Sequence, residues 1–221
     1  VDEGLTKGMV EWVTGHVLRH HLGMDADICR HDATWDTRVP PLAAQRKVGV
    51  LGLGELGSAC ATTLAGLGFD VAGWARRQKE FERVACTSGQ AGHAEVLGHS
   101  QILVLLLPHT PATENILDAA ALATLPEGSV VLNPGRGALI DDAALIAALD
   151  SGHVAQATLD AFRVEPLPAD DPYWAHPKVT VTPHLASVTR PETAARVIAE
   201  NIRRGEAGEP FLHLVDRATG Y

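Results

Sequence analysis

Three polar residues at the ends of successive predicted strands could together reduce a carbonyl group. Arg136 lies in an Asn-Pro-Gly-Arg-Gly segment after a short apolar run, and Glu165 and His184 follow the next two such runs. A fixed guanidinium can orient a substrate carboxylate and polarise the carbonyl, while an imidazolium donates a proton to the oxygen as hydride reaches the carbon. A carboxylate beside the imidazole fixes its tautomer and favours its charged form. The set predicts reduction of a 2-keto acid.

Each of these residues also has an ordinary structural interpretation. An arginine on a loop is often structural, Glu165 before Pro166 is otherwise a solvated loop acid, and His184 after Pro183 a capped turn histidine. The functional interpretation rests on their convergence, because open α/β sheets bind ligands at the carboxyl ends of their strands.

A glycine-rich turn earlier in the chain could hold a dinucleotide. The segment Gly52-Leu53-Gly54-Glu55-Leu56-Gly57 has the spacing GxGxxG, directly follows a predicted strand and opens a predicted helix. In this context Gly52 permits the tight turn, Gly54 lets the backbone approach a pyrophosphate, and Gly57 lets helix and strand pack closely. The helix N-terminus adds N–H groups and a partial positive charge. The alternative is a glycine turn that holds no ligand.

The next predicted strand ends in basic residues where NAD-specific sites place an acid. The sequence there is Trp74-Ala75-Arg76-Arg77, without a carboxylate to accept the ribose hydroxyl. A guanidinium can instead bind a 2′-phosphate through paired N–H groups. The residues therefore favour NADP(H) as cofactor, with NAD(H) as the second choice. The alternative interpretation is that Arg76 and Arg77 are two solvated surface arginines.

Short apolar strands that alternate with helices must position these residues. This pattern is typical of a doubly wound parallel sheet, the Rossmann dinucleotide-binding fold. The predicted strands are Val48–Leu51, Phe69–Trp74, Ile102–Leu107, Ser129–Leu132, Val154–Leu159 and Val179–Thr182. We divide the chain into a linking helix at 1–22, an extended arm at 23–45, a dinucleotide-binding domain at 46–190, and a helix and tail at 191–221.

Composition excludes several other classes of protein. The 221 residues include 18 Lys and Arg and 27 Asp and Glu, a net charge of −9, which argues against binding to nucleic acid or an anionic membrane. The apolar run at 102–107 is far shorter than the roughly 20 residues of a membrane span, and no signal segment opens the chain. Three cysteines without a CxxC pair fit a reducing cytoplasm.

Two histidines with metal-like spacing lie in the first predicted helix. His16 and His20 are four residues apart, but the glutamate of an HExxH motif and further ligands are missing, so we interpret them as surface or interface residues and predict no metal site.

Taken together, these motifs resemble those of the D-2-hydroxyacid dehydrogenases. The resemblance rests on the glycine motif, the Asn-Pro-Gly-Arg-Gly loop, the segment from Leu159-Asp160 to Leu167-Pro168, and Thr182-Pro183-His184. Within that family the chain looks most like the NADPH-preferring glyoxylate/hydroxypyruvate reductases. The features that point to this subfamily are the basic strand end, the segment Asp36 to Lys47, Tyr173-Trp174 before His176-Pro177, and the ending Val215-Asp216-Arg217 with Gly220-Tyr221.

The resemblance implies a role for each site residue. Arg136 would bind the substrate carboxylate and carbonyl, His184 would be the acid/base, and Glu165 its partner. Asp160 would lie near the nicotinamide carboxamide, and Glu55, Leu56, Leu107, Pro108 and Thr113 would line the dinucleotide, with His109-Thr110 as a further contact.

The resemblance also bears on partners and domains. Family members are usually dimers built through the nucleotide domain, so the arm around Trp35 is the expected dimer contact. Their substrate domain begins with an N-terminal segment of about 100 residues that has no counterpart here, and 191–221 would be the remaining part of it. Alternatives are a non-catalytic dinucleotide-binding module, a reductase for larger 2-keto acids, and an NAD-linked phosphoglycerate dehydrogenase, which Arg76 and Arg77 disfavour.

Overall fold

Residues 2–29, 33, 35 and 37–214, which the structure describes, contain one seven-stranded parallel sheet with helices on both faces. The structure is a computed structural model. The strands are β1 (Lys47–Leu51), β2 (Asp70–Trp74), β3 (Val84–Thr87), β4 (Ile102–Leu105), β5 (Ser129–Asn133), β6 (Val154–Leu159) and β7 (Val179–Val181). Their order across the sheet is β3-β2-β1-β4-β5-β6-β7, so the strand order reverses between β1 and β4. Ligands of such sheets bind at the carboxyl ends beside this reversal.

Eight helices connect or flank these strands within the described ranges. They are α1 (Glu3–Leu22), α2 (Met24–Ile28), α3 (Glu55–Gly66), α4 (Gly89–His99), α5 (Ala119–Thr124), α6 (Asp142–Ser151), α7 (Pro172–Ala175) and α8 (Pro191–Ala207). Short 3₁₀ turns occur at Ala43–Gln45 and Gly137–Leu139. Among the described residues, none of these helices has the length and apolarity needed to cross a bilayer.

The sheet is buried between two apolar layers. On one face, Val13 and Val17 of α1 pack in the same cluster as Cys60 and Leu64 of α3, and all four are fully buried. On the other face, a second cluster joins α4, α5 and α6 to the strands, with Leu145 of α6 among its fully buried members. Burying a leucine or valine side chain contributes about 1.5–3 kcal/mol, so these layers hold the strand ends in fixed relative positions.

The predicted strands and the observed ones differ in a few places. The sequence pattern gave no prediction of β3 or α5, because each is only four to six residues long and has no clear apolar period. The strand predicted at Ile102–Leu107 ends at Leu105, where the chain turns toward Pro108.

The arm predicted to be extended at 23–45 begins with α2. Gly23 adopts the left-handed conformation, with φ +67, which ends α1 and lets the chain turn into the new helix. Arg19 then contacts Asp25 at 2.6 Å and fastens this turn. Farther along, the side chain of Trp35 is 91% exposed. Arg30, His31, Asp32, Thr34 and Asp36 lie outside the described residues.

The helix predicted within 191–221 is present as α8, which ends at Ala207. None of its residues is buried, and Ile198 and Ile202 are 60% and 58% exposed. The following residues turn back, since the Leu212 N–H donates to the Asn201 side chain at 2.7 Å. The predicted motif parts Val215-Asp216-Arg217 and Gly220-Tyr221 lie outside the described residues.

Candidate active site

The glycine turn joins β1 to α3 at the carboxyl edge of the sheet. Gly52 has φ +105, in the left-handed region, and its N–H donates to the Trp74 carbonyl at 2.9 Å. A Cβ on Gly57 would lie 1.7 Å from the Gly52 carbonyl oxygen, so strand and helix approach too closely for a side chain there. These are the two local conditions that a dinucleotide-binding turn needs from its outer glycines.

The middle glycine of the turn faces open space. A Cβ on Gly54 would meet no atom within 4 Å, and Gly54 is the N-cap of α3 with no side-chain hydrogen bond to the helix start. Backbone N–H groups at a helix N-terminus, together with the helix dipole, bind anions. The turn therefore fits the pyrophosphate of a dinucleotide.

A cavity of ≈ 390 Å³ lies near the ends of β2 and β4. It is lined by Trp74, Arg76, Leu107, Pro108, Thr110, Pro111, Ala112 and Thr113. Arg76 forms part of its wall, whereas Arg77 is exposed and does not line it. A guanidinium in this wall suits a phosphate group on the ribose, so Arg76 is the better placed of the two predicted arginines.

Internal hydrogen bonds shape the loop after β4 that borders this cavity. The Thr113 hydroxyl donates to the Pro108 carbonyl at 2.7 Å and lies 2.9 Å from the Thr110 N–H, which donates to it. Thr113 therefore folds the loop, and its role toward a cofactor remains a prediction.

Glu165 and His184 form a hydrogen-bonded pair at the ends of β6 and β7. His184 Nδ1 lies 2.7 Å from Glu165 Oε2, and the other carboxylate oxygen accepts the Phe162 N–H at 2.8 Å. The His184 side chain is 45% exposed. With Nδ1 directed at the carboxylate, Nε2 is the ring atom that can exchange a proton with a substrate.

The charge of Arg136 acts on the carboxylate of Glu165. Burial tends to raise the pKa of Glu165, but the hydrogen bonds from Phe162 and His184 and the charges of His184 and Arg136 outweigh it and hold that pKa below its ordinary value. The Asn133 side-chain amide donates to the Arg136 carbonyl at 3.0 Å, which fixes the backbone that carries the guanidinium. Cation, carboxylate and imidazole thus share one edge of the sheet.

A buried aspartate organises the loop that carries His184. Asp160 is fully buried; its Oδ1 accepts the Thr182 hydroxyl at 2.5 Å and the Leu185 N–H at 3.0 Å, and its Oδ2 accepts the Ala186 N–H at 2.9 Å. Its carbonyl accepts the His184 N–H at 2.9 Å. His184 itself has φ +51, a conformation that a non-glycine residue keeps only when its surroundings enforce it. Asp160 supplies that enforcement.

An apolar cavity of ≈ 490 Å³ opens beside the Glu165–His184 pair. Its walls are formed by Phe162, Pro166, Leu167, Trp174, Val181 and Pro183 in addition to the pair. The Trp174 indole N–H donates to the Pro168 carbonyl at 2.9 Å, which fixes the ring over the cavity although half of it is exposed.

Residues 14–186 match the family described as D-isomer specific 2-hydroxyacid dehydrogenase, NAD binding domain. The chain belongs to this family. Among curated relatives of the dehydrogenase, glyoxylate/hydroxypyruvate reductase A of Yersinia enterocolitica is 39% identical over all 221 residues, and that of Klebsiella pneumoniae strain 342 is 40% identical. In both cases the chain covers 71% of the relative.

Comparison of this chain with solved structures indicates the same family. A D-isomer specific 2-hydroxyacid dehydrogenase from Xanthobacter autotrophicus Py2, in complex with NADPH and MES, has a TM-score of 0.93 and 48% identity, with 100% of this chain and 91% of that one covered. An NADPH-dependent glyoxylate/hydroxypyruvate reductase from Sinorhizobium meliloti, in complex with NADP and sulfate, has a TM-score of 0.95 and 36% identity, with 100% and 72% covered.

These findings confirm several sequence-based predictions for the dehydrogenase. The family, the doubly wound parallel sheet, the enzymatic class and a nicotinamide dinucleotide as cofactor are all as predicted. The structure joins Glu165 to His184 and places the segment of Arg136 at the same edge of the sheet, and the roles of these three residues stay predictions. At the start of α3, Glu55 is exposed and Leu56 half-buried, in keeping with a surface that could face a cofactor.

One cation beside the glycine turn was not predicted from the sequence. Lys79 Nζ donates to the Leu53 carbonyl, inside the glycine motif, at 2.6 Å. The basic run that begins with Arg76 and Arg77 continues to Lys79, and this continuation was the available signal.

His16 and His20 of α1 have structural surroundings. The ring nitrogens of His20 lie 2.9 Å from Gln156 Oε1 and 2.9 Å from Thr158 Oγ1, while burial lowers the pKa of His16 to about 4. Among the described residues, no three His, Cys, Asp or Glu side chains form a group that could hold a metal ion.

Proposed function

We propose that this dehydrogenase reduces a short 2-keto acid of the glyoxylate or hydroxypyruvate class to the 2-hydroxy acid, with NADPH as reductant. The proposal rests on the 2.7 Å contact between His184 and Glu165 at the sheet edge where the Arg136 charge also acts. The names of the reductases from Yersinia enterocolitica and Sinorhizobium meliloti support the substrate class and the cofactor.

In this proposal Arg136 binds the substrate carboxylate and polarises the neighbouring carbonyl. NADPH, when bound, supplies a hydride to the carbonyl carbon. The protonated imidazole of His184 donates its Nε2 proton to the carbonyl oxygen, so that one C–H and one O–H bond form and the π bond of the carbonyl is lost. Glu165 stabilises the imidazolium before transfer and keeps the ring oriented throughout.

The preference for NADPH over NADH is assigned to the cavity wall that contains Arg76. A guanidinium can make paired charge-assisted hydrogen bonds to a 2′-phosphate, while the strand end lacks the carboxylate that accepts a free ribose hydroxyl. Gly54 and the start of α3 would hold the pyrophosphate.

The test measures consumption of the reduced nicotinamide with glyoxylate, hydroxypyruvate and pyruvate. We expect turnover with NADPH, and a His184→Asn variant should lose turnover while its NADPH dissociation constant changes little. Absence of consumption with every acid at all values between about pH 5 and 8, where a histidine titrates, would refute the proposal. Equal loss of turnover and cofactor affinity in His184→Asn would make that residue structural.

A second candidate is a dehydrogenase for larger 2-keto acids. The apolar cavity of ≈ 490 Å³ beside His184 favours it, because it could accept an alkyl or aryl side chain. Comparison of kcat/KM for phenylpyruvate and hydroxypyruvate separates the two candidates. Burial of the phenyl group in an apolar pocket should stabilise the bound larger acid by about 1.5–3 kcal/mol.

We propose that the protein is a cytoplasmic homodimer joined through the arm at 23–45. Trp35 and Val39 are each 91% exposed and Leu42 is 75% exposed, an apolar surface suited to a second copy. Cys29, Cys60 and Cys86 are all free, as in a reducing compartment. A Trp35→Ser, Val39→Ser variant should sediment as a monomer at concentrations where the unaltered protein is dimeric, and cell fractionation should place the protein in the cytoplasm.

A further inference from the structure

The guanidinium of Arg163 contacts several separate segments of the chain. Its Nη2 donates to the Asn115 side-chain oxygen and, at 2.6 Å, to the Ile140 carbonyl. Its Nε lies 3.1 Å from Asp142 Oδ2, and its Nη1 lies 3.6 Å from Glu114 Oε1. The side chain is 32% exposed, so these contacts are partly shielded from water.

These contacts join the loops that carry the site. Asn115 lies in the loop after β4 that borders the Arg76 cavity, and its N–H donates to the Ala138 carbonyl at 2.8 Å. Ile140 follows β5 and the Arg136 segment, while Arg163 itself follows β6 two residues before Glu165. The side chain therefore connects the cofactor side, the substrate arginine and the catalytic carboxylate.

The backbone around Arg163 leaves little freedom for the loops to shift independently. A Cβ on Gly137 would lie 2.1 Å from the Phe162 carbonyl carbon and 2.3 Å from the Arg163 nitrogen, so the segment after Arg136 rests directly on the Phe162–Arg163 peptide. Phe162 in turn donates its N–H to Glu165. A displacement of this peptide would move the donor that orients the carboxylate.

Asp142, the nearer of the two carboxylates that contact Arg163, is also fixed. Asp142 Oδ1 accepts the Tyr173 hydroxyl at 2.9 Å, and Tyr173 is 4% exposed. Burial raises the pKa of Asp142, although the Tyr173 hydroxyl and Arg163 act in the opposite direction. The carboxylate that receives Arg163 is thus held in place from α7, next to the segment that leads to β7 and His184.

We propose that Arg163 is a positioning residue that keeps the loop of Glu165 in register with the loops of Arg136 and of the dinucleotide. Its guanidinium fork is needed because it binds a carbonyl, an amide oxygen and a carboxylate in different directions at once. The proposal rests on the proposed function, since its consequence is alignment of the Glu165–His184 pair for proton donation.

The test compares Arg163→Met, Arg163→Lys and the unaltered protein, with Arg83→Met, an exposed arginine before β3, as matched control. Methionine keeps most of the chain length without a donor, and lysine keeps the charge without the fork. We expect Arg163→Met to lower kcat by about 10- to 100-fold, the range for a small misplacement of catalytic groups. The NADPH dissociation constant should change far less, and Arg163→Lys should recover part of the loss.

A second readout does not depend on turnover. The proton shared by His184 Nδ1 and Glu165 should give a low-field proton NMR signal, assigned by its loss in Glu165→Gln, and Arg163→Met should weaken it while Arg83→Met does not. If the unaltered protein reduces no 2-keto acid, the proposed function fails and this signal alone decides the positioning role. If Arg163→Met does not fold, Arg163→Lys must show the lower kcat and weaker signal. Unchanged kcat and signal in any folded variant at Arg163 overturn the proposal.

Discussion

Replacement of Asp160 by asparagine should separate the structural and cofactor roles of this residue. Asp160 is fully buried and its two carboxylate oxygens accept three hydrogen bonds. In Asp160→Asn one oxygen becomes an NH₂ group. In either orientation this group faces one backbone N–H, that of Ala186 or that of Leu185, whereas the Thr182 hydroxyl can either donate or accept.

The magnitude follows from the bonds that this change removes. One charge-assisted hydrogen bond is lost and one buried N–H is left unsatisfied, so we expect the free energy of unfolding to fall by about 2–5 kcal/mol. This is below the roughly 5–15 kcal/mol of an ordinary domain, so the variant should still fold. Because His184 sits at φ +51 in the same loop, its ring should be displaced and kcat should fall by about 10- to 100-fold.

Urea unfolding and steady-state kinetics measure both effects, with NADPH binding measured separately by fluorescence. Asp118→Asn is the matched control: Asp118 caps α5 through its side chain, and asparagine caps helices as well as aspartate does. A stability loss below about 0.5 kcal/mol, the usual range for surface changes, would show that the carboxylate does not hold the loop. A loss confined to NADPH affinity would favour the predicted contact with the nicotinamide carboxamide instead.

Four further substitutions, used in three experiments, test other parts of the site. Gly57→Ala should lower the free energy of unfolding by about 1–3 kcal/mol through overpacking. Gly54→Ala should keep its melting temperature and lose NADPH affinity, because its added methyl group would point into open space. A larger loss of thermal stability in Gly54→Ala than in Gly57→Ala would contradict the assignment of the turn. Arg76→Asp should raise the KM for NADPH by about 10- to 100-fold, which corresponds to the loss of one or two charge-assisted hydrogen bonds, and should lower the KM for NADH. Equal changes in the two KM values would place the 2′-phosphate elsewhere. The pKa of Glu165 is depressed below its ordinary 4.5 in the folded protein, so its contribution to stability is complete above that pH and is lost as the pH falls through the folded-state value. The stability difference between the unaltered protein and Glu165→Gln, from urea unfolding, should therefore be constant near neutrality and shrink in acid; a difference that grows in acid would reverse the sign of the interaction with His184.

Several features of the fold were predictable because they depend on short stretches of chain. A GxGxxG turn after an apolar strand requires a left-handed first glycine and a third glycine without a side chain, and the structure has both at Gly52 and Gly57. The alternation of apolar strands and helices likewise fixes a parallel sheet, since parallel neighbours need crossover connections. Elements such as β3 and α5 escaped prediction because their few residues owe their conformation to neighbours in space.

For the site, the sequence determined which residue types stand at the strand ends, and therefore that Arg136, Glu165 and His184 would meet at one edge. Only the tertiary structure decided how they are held. The contact of Arg163 with Asn115 spans 48 residues and that of Asp160 with Ala186 spans 26, and no local pattern encodes either. Such contacts exist only after the sheet has packed and brought distant loops together, because a side-chain hydrogen bond depends on positions to within a few tenths of an ångström.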